Sequence, residues 1–153
     1  MKLRSNAFVR LLSFLPVTCL CASLKDLGLE VTKLAIGRLV HTIVSHMERY
    51  VAEPCLVKMY LYSAHDTSLT PMMEALGIWD FTWPPFASSI IFELYFRERD
   101  SHYFVRVLYC GQPKVLRDAS GPLITFNDFR RILQRYRLPH FLYPRSCMIQ
   151  YMT

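Results

Sequence analysis

The sequence lacks four features that would place it in a specialised class of protein. It has no uninterrupted apolar run of the ~18 residues that a membrane-spanning helix needs. It has no internal repeat and no low-complexity tract, and its 5 cysteines form no C-x-x-C pair of the kind found in zinc ribbons and thioredoxin-like proteins. With 153 residues, of which 52% are hydrophobic and 20% charged, the chain can form the core of one ordinary domain.

The cysteines leave the redox compartment open. Two of them, Cys19 and Cys21, lie close to the N-terminus, and the others are Cys55, Cys110 and Cys147. If the N-terminal segment is removed, an odd number of thiols remains, which is a poor basis for a disulfide framework.

Acidic side chains are scarce in the last third of the chain. Residues 1–96 contain 8 basic and 8 acidic side chains, whereas residues 97–153 contain 10 basic and 4 acidic ones, so the last part carries the whole net charge of +6. Such an excess suits an anionic ligand or an acidic partner surface, and an ordinary solvated face has the same composition.

The first 24 residues have the pattern of a targeting segment. Lys2, Arg4 and Arg10 precede an apolar stretch over residues 11–24, which contains the small residues Cys-Ala-Ser near its end. This pattern predicts a secretory signal peptide cleaved after Ser23, and therefore a protein that is secreted or resides in the secretory pathway. A mitochondrial leader is the alternative, because the segment contains arginine and no acidic residue. A short core segment is a third interpretation.

Hydrophobic periodicity predicts helices and strands along the rest of the chain. A helix is expected over residues 30–50, in which His41 and His46 are spaced too unfavourably to hold a metal ion from one face. The apolar residues 57–62 predict a strand buried on both faces of a parallel or mixed sheet. A second helix is expected to run to Leu76 and to end at Gly77.

The second half of the chain predicts a hairpin followed by a basic helix. Strands are expected at residues 89–96 and 103–110, with a short one at residues 114–116. Thr125 and Asp128 resemble a capping box at the start of a helix that carries four arginines. A basic amphipathic helix can bind membrane surfaces or nucleic acid, and packing of its apolar face on a sheet is the favoured interpretation.

The pair His65-Asp66 lies between the predicted strand and the second helix. Ligands bind at the carboxyl ends of strands in open α/β sheets, and a helix N-terminus attracts phosphate through its free N–H groups and its dipole. His65 could therefore hydrogen-bond a phosphoryl oxygen, and Asp66 could carry a proton. Taken alone, the pair is better explained as a polar helix cap, and the surrounding residues are needed to favour a phosphate site.

The residues around this pair resemble the C-terminal half of a histidine acid phosphatase. The resemblance runs from about Thr32 to Tyr136 and is strong from Lys58 to Tyr109. It rests on these motifs: Tyr-Leu-Tyr-Ser-Ala-His-Asp-Thr at residues 60–67, Leu-Gly-Ile at 76–78, Trp-Pro-Pro-Phe-Ala at 83–87 and Phe-Glu-Leu-Tyr at 92–95. Within this family the motifs are most similar to the lysophosphatidic acid phosphatase branch, and next to the xylose-phosphate phosphatase branch.

The resemblance implies hydrolysis of a phosphomonoester in two steps without a metal ion or cofactor. In the family, a histidine in an Arg-His-Gly-x-Arg-x-Pro loop attacks phosphorus, and the Asp of a His-Asp motif protonates the departing alkoxide. Carried onto this chain, Asp66 is the general acid and His65 binds the phosphoryl oxygens. The substrate would be a phosphomonoester, with a lysophospholipid as one candidate, and no nucleic acid is expected as a partner.

The sequence departs from the family pattern at the nucleophile. None of its 5 histidines lies in an Arg-His-Gly context, so the chain alone is predicted to be inactive. A second departure is Gly121-Pro122-Leu123, where the family usually has Cys-Pro-Leu, which puts its C-terminal disulfide in doubt. The alternative to an enzyme portion is an inactive module that binds phosphorylated ligands or regulates a full-length relative.

The resemblance also implies an α/β fold. We expect part of a three-layer α/β/α sandwich with a mixed sheet, as in phosphoglycerate mutase, with residues 1–24 as a leader and residues 25–153 as the C-terminal portion of the domain. The strand at residues 58–62 would be central in the sheet and the hairpin at residues 89–110 would lie towards an edge. Because other strands would be missing, we expect exposed apolar surface and self-association or pairing with a full-length relative.

Overall fold

The computed structural model describes residues 3–13 and 28–139 of the chain, and side chains are described for residues 28–139. Three helices and six strands follow one another along these residues. Their order is β1 (Leu3–Ser13), α1 (Leu29–Ala52), β2 (Met59–Ala64), α2 (Asp66–Leu76), β3 (Ser89–Arg97), β4 (His102–Tyr109), β5 (Gln112–Lys114), β6 (Leu123–Thr125) and α3 (Phe126–Gln134). The predicted helices and the predicted hairpin are confirmed, whereas the short strand β5 starts two residues earlier than expected.

The strands form one mixed sheet in the order β2-β1-β3-β4-β5, with β6 alongside β4. β1 runs parallel to β2, with Ser13 opposite Ala64, and antiparallel to β3, with Leu12 opposite Ser89. The remaining pairs are antiparallel. The predicted α/β class with a mixed sheet is confirmed.

The predicted positions of β2 and of the hairpin in the sheet were wrong. β2 lies at one end of the sheet and β3 lies in its middle. The cause is β1, which pairs between them and comes from the segment that the sequence pattern assigned to a leader. An apolar leader and a buried strand have the same composition, so periodicity could not separate them. Cleavage after Ser23 stays a prediction, and residues 14–24 lie outside the described residues.

All three helices of the described residues pack on one face of the sheet. Val9 is aligned with both Tyr60 and Phe92, so the side chains of these two residues point to the same face. The imidazole of His46 in α1 stacks on the Tyr60 ring at 4.0 Å, and the ring of Phe129 in α3 lies 6.0 Å from that of Phe92. The helix α2 packs against α1 and α3. The described residues therefore form two layers, sheet and helices, with the core between them.

The chain after α3 crosses α1 at a glycine. The backbone N–H of Leu138 donates to the carbonyl oxygen of Gly37 at 3.1 Å. A Cβ at Gly37 would lie 2.5 Å from the carbonyl oxygen of Tyr136, so only glycine allows this approach. Arg137 then donates to both carboxylate oxygens of Glu48 in α1, at 2.9 and 3.0 Å. These contacts hold the end of the described chain against the helical layer.

Candidate active site

The site is positioned by the turn from β2 into α2. β2 ends at Ala64, His65 is the N-cap residue in an extended conformation, and Asp66 opens the helix. The helix forms because a buried apolar stripe, Leu69, Met72, Met73 and Leu76, packs in the core. It ends at Gly77, whose φ of 69° is the left-handed C-cap conformation. The pair therefore lies where the sequence predicted, at the carboxyl end of β2 and at the N-terminus of α2.

The two residues of the pair differ in their exposure to solvent. The side chain of His65 is exposed and makes no capping hydrogen bond. Asp66 is only 2% exposed. Because burial of an isolated carboxylate is costly, the surrounding donors decide whether Asp66 can be accommodated.

Two N–H groups satisfy the buried carboxylate of Asp66. The backbone N–H of Thr67 donates to Oδ1 at 2.8 Å, and the indole Nε1–H of Trp83 donates to Oδ2 at 2.9 Å. The hydroxyl of Thr70 donates to the backbone carbonyl of Asp66 at 3.0 Å, which ties the first turn of α2 together. The carboxyl group is thus held in one orientation at the helix N-terminus.

Trp83 was missed as a site residue by the sequence analysis, which identified its surroundings only as part of a family motif. It is 17 residues away from Asp66, and loop contacts of this kind leave no periodic signal. The two prolines that follow it fix the backbone and thereby help to fix the indole. The available signal was the tryptophan itself, because a half-buried indole N–H in a loop needs an acceptor.

The loop that carries Trp83 also presents aromatic side chains to solvent. Phe81 is 58% exposed and Phe86 is 71% exposed. Phe81 has a φ of 63°, a conformation that is uncommon for a bulky residue, and its ring lies 5.0 Å from that of Trp79. The Trp79 indole donates to the carbonyl oxygen of Thr82 at 3.3 Å, which closes the loop on itself. The loop that contains Trp83 therefore also has exposed apolar side chains.

The same edge of the sheet carries a second polar group. β3 begins on this edge. At the end of β1, Ser13 is paired with Ala64, the last residue of β2, and the adjacent Leu12 is paired with Ser89, the first residue of β3. Ser88 precedes it and donates from Oγ to the carbonyl of Pro85 at 2.6 Å, and its Oγ lies 3.4 Å from the hydroxyl of Tyr109. Burial raises the pKa of the Tyr109 hydroxyl, so it stays un-ionised at neutral and acidic pH.

No group of three or more His, Cys, Asp or Glu side chains among residues 28–139 is placed to hold a metal ion. No helix in the part of the chain covered by the structure is long and apolar enough to span a membrane. Cys55 and Cys110 are free thiols, and Cys19, Cys21 and Cys147 lie outside the described residues.

Both arginines within the helix α3 contact an acidic side chain. Arg130 contacts Glu48 at 2.9 Å and Arg131 contacts Asp128 at 2.8 Å. Its apolar side packs in the core through Phe129, Ile132 and Leu133. The packing interpretation of this helix is therefore confirmed, and its arginines do not form a patch of unpaired charge.

Known proteins resemble this chain in sequence and in fold. The sequence profile of the histidine phosphatase superfamily (branch 2) matches residues 21–110. The chain is 34% identical over 122 residues to lysophosphatidic acid phosphatase type 6 of Pongo abelii, a match that covers 77% of this chain and 28% of that protein. It is 39% identical over 80 residues to human prostatic acid phosphatase, covering 52% of this chain and 20% of the relative. The chain thus spans less than a third of the length of these relatives.

A solved structure shows the same fold. The multiple inositol polyphosphate phosphatase of Bifidobacterium longum, in complex with inositol hexasulfate, superposes with a TM-score of 0.53 over 65% of this chain and 28% of that one. The sequence identity is 14%, so the likeness concerns the fold alone.

Proposed function

Because the chain belongs to the histidine phosphatase superfamily (branch 2), we propose that it is the C-terminal portion of a histidine acid phosphatase and binds phosphomonoesters through His65, with Asp66 as the proton donor beside it. The observation that carries the proposal is the pair itself: an exposed imidazole beside a buried, doubly hydrogen-bonded carboxyl group at a helix N-terminus. A protonated imidazole and the positive end of the helix dipole both attract phosphoryl oxygens. His65 is accordingly the group that binds the phosphoryl oxygens.

Asp66 has the position of a proton donor in this proposal. An alkoxide is a poor leaving group, so its departure from phosphorus requires a proton. Trp83 and Thr67 hold the carboxyl group of Asp66 at the helix N-terminus, directly after His65 in the chain, which supports the proposed role of Asp66 as the proton donor. In this proposal His65 first binds the phosphoryl oxygens, and Asp66 then protonates the leaving oxygen.

Binding of inorganic phosphate tests the role of His65. Titration of the chain with phosphate, followed by NMR chemical-shift changes, is expected to move the signals of His65 and of the first turn of α2. His65→Ala is expected to weaken binding by roughly tenfold, since a hydrogen bond to a charged group contributes about 1.5–3 kcal/mol. Asp66→Asn should bind phosphate nearly unchanged, because proton donation is not needed for binding.

His102→Ala is the matched control for this titration, because His102 is also an exposed histidine and lies at the start of β4. Phosphate binding that survives His65→Ala but is lost in His102→Ala would place the site elsewhere on the molecule.

We propose a lysophospholipid as the substrate class, with the exposed aromatic loop contacting its acyl chain. Phe81 and Phe86 lie in the loop whose Trp83 holds Asp66, and the relatives named above include lysophosphatidic acid phosphatases. Phe86→Ser combined with Phe81→Ser is expected to weaken binding of monomeric lysophosphatidic acid by roughly tenfold or more, because each buried phenyl ring contributes about 1.5–3 kcal/mol. Binding of glycerol 3-phosphate should not change.

Val115→Ser is the control for the aromatic loop, since Val115 is equally exposed outside it. An equal loss of both ligands in the phenylalanine variant would show that the loop supports the phosphate site and does not contact an acyl chain.

A second candidate function is an inactive module that binds phosphorylated ligands or regulates a full-length relative. The observation in its favour is the absence of an Arg-His-Gly segment from the sequence. Genomic sequence directly upstream distinguishes the two candidates, because an in-frame Arg-His-Gly-x-Arg-x-Pro segment would favour the phosphatase portion. For both candidate functions we propose that the protein resides in the secretory pathway, because residues 1–24 have the pattern of a signal peptide. Mitochondria are the alternative location.

A further inference from the structure

The strand β2 leaves one side of the sheet open. It ends the order of strands and pairs with β1 alone among the strands that the structure describes. An open edge strand presents a row of N–H and C=O groups that can pair with another chain. Met59 and Leu61, on the face of β2 away from the helices, are 58% and 59% exposed.

The two ends of the sheet differ in how they are protected against such pairing. β5, at the opposite end, has only three residues, Gln112–Lys114, and contains both a proline and a lysine. Short length, proline and lysine are the usual means by which proteins prevent pairing at an edge. β2 has none of them, because Met59–Ala64 is six residues long and contains neither a charge nor a proline. Of the two ends of the sheet formed by the described strands, the β2 end is therefore the one that lacks protection against a further strand.

The apolar surface beside this edge is continuous. Leu56 and Val57 precede the strand and are exposed, as are Met59 and Leu61 within it. On the other face, Tyr60 and Tyr62 are covered by α1, where the Tyr62 hydroxyl lies 2.8 Å from Nδ1 of His46. The strand that carries these exposed residues is therefore backed by a packed helix, so little conformational entropy is lost when it pairs with another chain.

We propose that β2 pairs antiparallel with β2 of a second copy of this chain, about a two-fold axis at Leu61. In this register Leu61 faces its own counterpart, and Met59 faces Ser63 on the same exposed face. Tyr60 faces Tyr62 on the face covered by α1. The edge is thus self-complementary, and a closed two-fold contact produces a dimer and not a fibre.

The charges also permit this register. Lys58 immediately precedes the strand and would lie opposite Ala64 of the second copy. The two Lys58 residues would then be six positions, or about 20 Å, apart along the joined strands, farther than the ~10 Å over which exposed charges interact at moderate ionic strength. Each ammonium group is already hydrogen-bonded to the hydroxyl of Tyr50 at 2.8 Å. Along β2 itself, the pairing therefore brings no like charges together.

Sedimentation of the whole chain with increasing concentration tests the proposal. The chain of 18.0 kDa is expected to sediment as a dimer at micromolar concentration. Leu61→Lys and Leu61→Glu are each expected to raise the dissociation constant roughly tenfold or more, because they place like charges opposite each other at the axis. Val115→Lys, which changes an equally exposed residue outside the strand, should leave the dimer intact.

Amide hydrogen exchange identifies the contact within the same samples. Exchange over residues 59–64 is expected to slow as the dimer forms, and to stay fast in both Leu61 variants. Circular dichroism of these variants should match that of the unchanged chain, since Leu61 is exposed. A monomer at all concentrations, slowed exchange elsewhere, or association only with a full-length relative would each overturn the proposal.

Discussion

The purified chain is expected to release no phosphate from an aryl phosphate at acidic pH above the rate in buffer. The physical reason is the missing nucleophile, since none of the histidines in the sequence lies in an Arg-His-Gly context. General acid catalysis by Asp66 would contribute about 10²–10⁴-fold. Hydrolysis of phosphate monoesters is so slow without a catalyst that enzymes accelerate it by up to ~10²¹-fold. A proton donor alone therefore leaves the reaction far below detection.

His65→Ala and Asp66→Asn make this measurement interpretable. Activity that survives both substitutions would mean that the reaction occurs elsewhere, and the assignment of the site would be wrong. Activity that both substitutions abolish would mean that another residue of this chain supplies the nucleophile. In that case the proposed site would stand and the prediction of inactivity would fail.

The placement of the site could be predicted from the sequence because it depends on local order. An apolar strand, His65-Asp66 and an amphipathic helix follow one another within 20 residues, so chain connectivity alone puts the pair at the carboxyl end of β2. The hydrogen bond from Trp83 could not be predicted in this way. Trp83 follows the C-terminal end of α2 in the chain, and the loop that carries it returns to Asp66 at the N-terminal end of that helix. It is nevertheless the contact that orients the proposed acid.

The order of the strands was not predictable for a different reason. β2 is apolar on both faces, which indicated a central strand, yet its outward residues Met59 and Leu61 are exposed at the end of the sheet. The composition of a strand indicates how much of its surface can be buried, but it does not indicate which other strands lie beside it in the sheet. The apolar residues of β1 likewise match both a leader and a central strand.

Alanine substitution of Gly77 is expected to lower the free energy of unfolding by about 2–5 kcal/mol, the largest loss among the glycines described here. Two costs coincide at this residue. Its φ of +69° is unfavourable for any residue with a Cβ, and that Cβ would lie 2.5 Å from Cβ of Arg117. Arg117 cannot easily move away, because its backbone N–H donates to the carbonyl of Leu76 at 3.0 Å and its side chain contacts Glu74 at 3.2 Å.

Three other glycines separate these two costs, because each carries one of them or neither. Gly111 has a φ of +78° with nothing within 4 Å, so Gly111→Ala should lose about 1–2 kcal/mol from backbone strain alone. Gly37 has an ordinary helical backbone but a contact of 2.5 Å, so Gly37→Ala should lose about 1–3 kcal/mol where an open helix would gain stability. Gly121→Ala, with neither cost, should be neutral or slightly stabilising.

Urea unfolding at one fixed protein concentration measures all four variants on the same scale, since any association would otherwise shift the midpoints. Gly77→Ala is expected to have the lowest free energy of unfolding, Gly37→Ala and Gly111→Ala intermediate values, and Gly121→Ala the highest. A stabilised Gly37→Ala would contradict the close crossing of α1 by residues 136–138, because a helical alanine with free space is favoured over glycine. An unchanged Gly77→Ala would contradict the left-handed end of α2, and with it the packing of Arg117 that fixes the helix carrying Asp66.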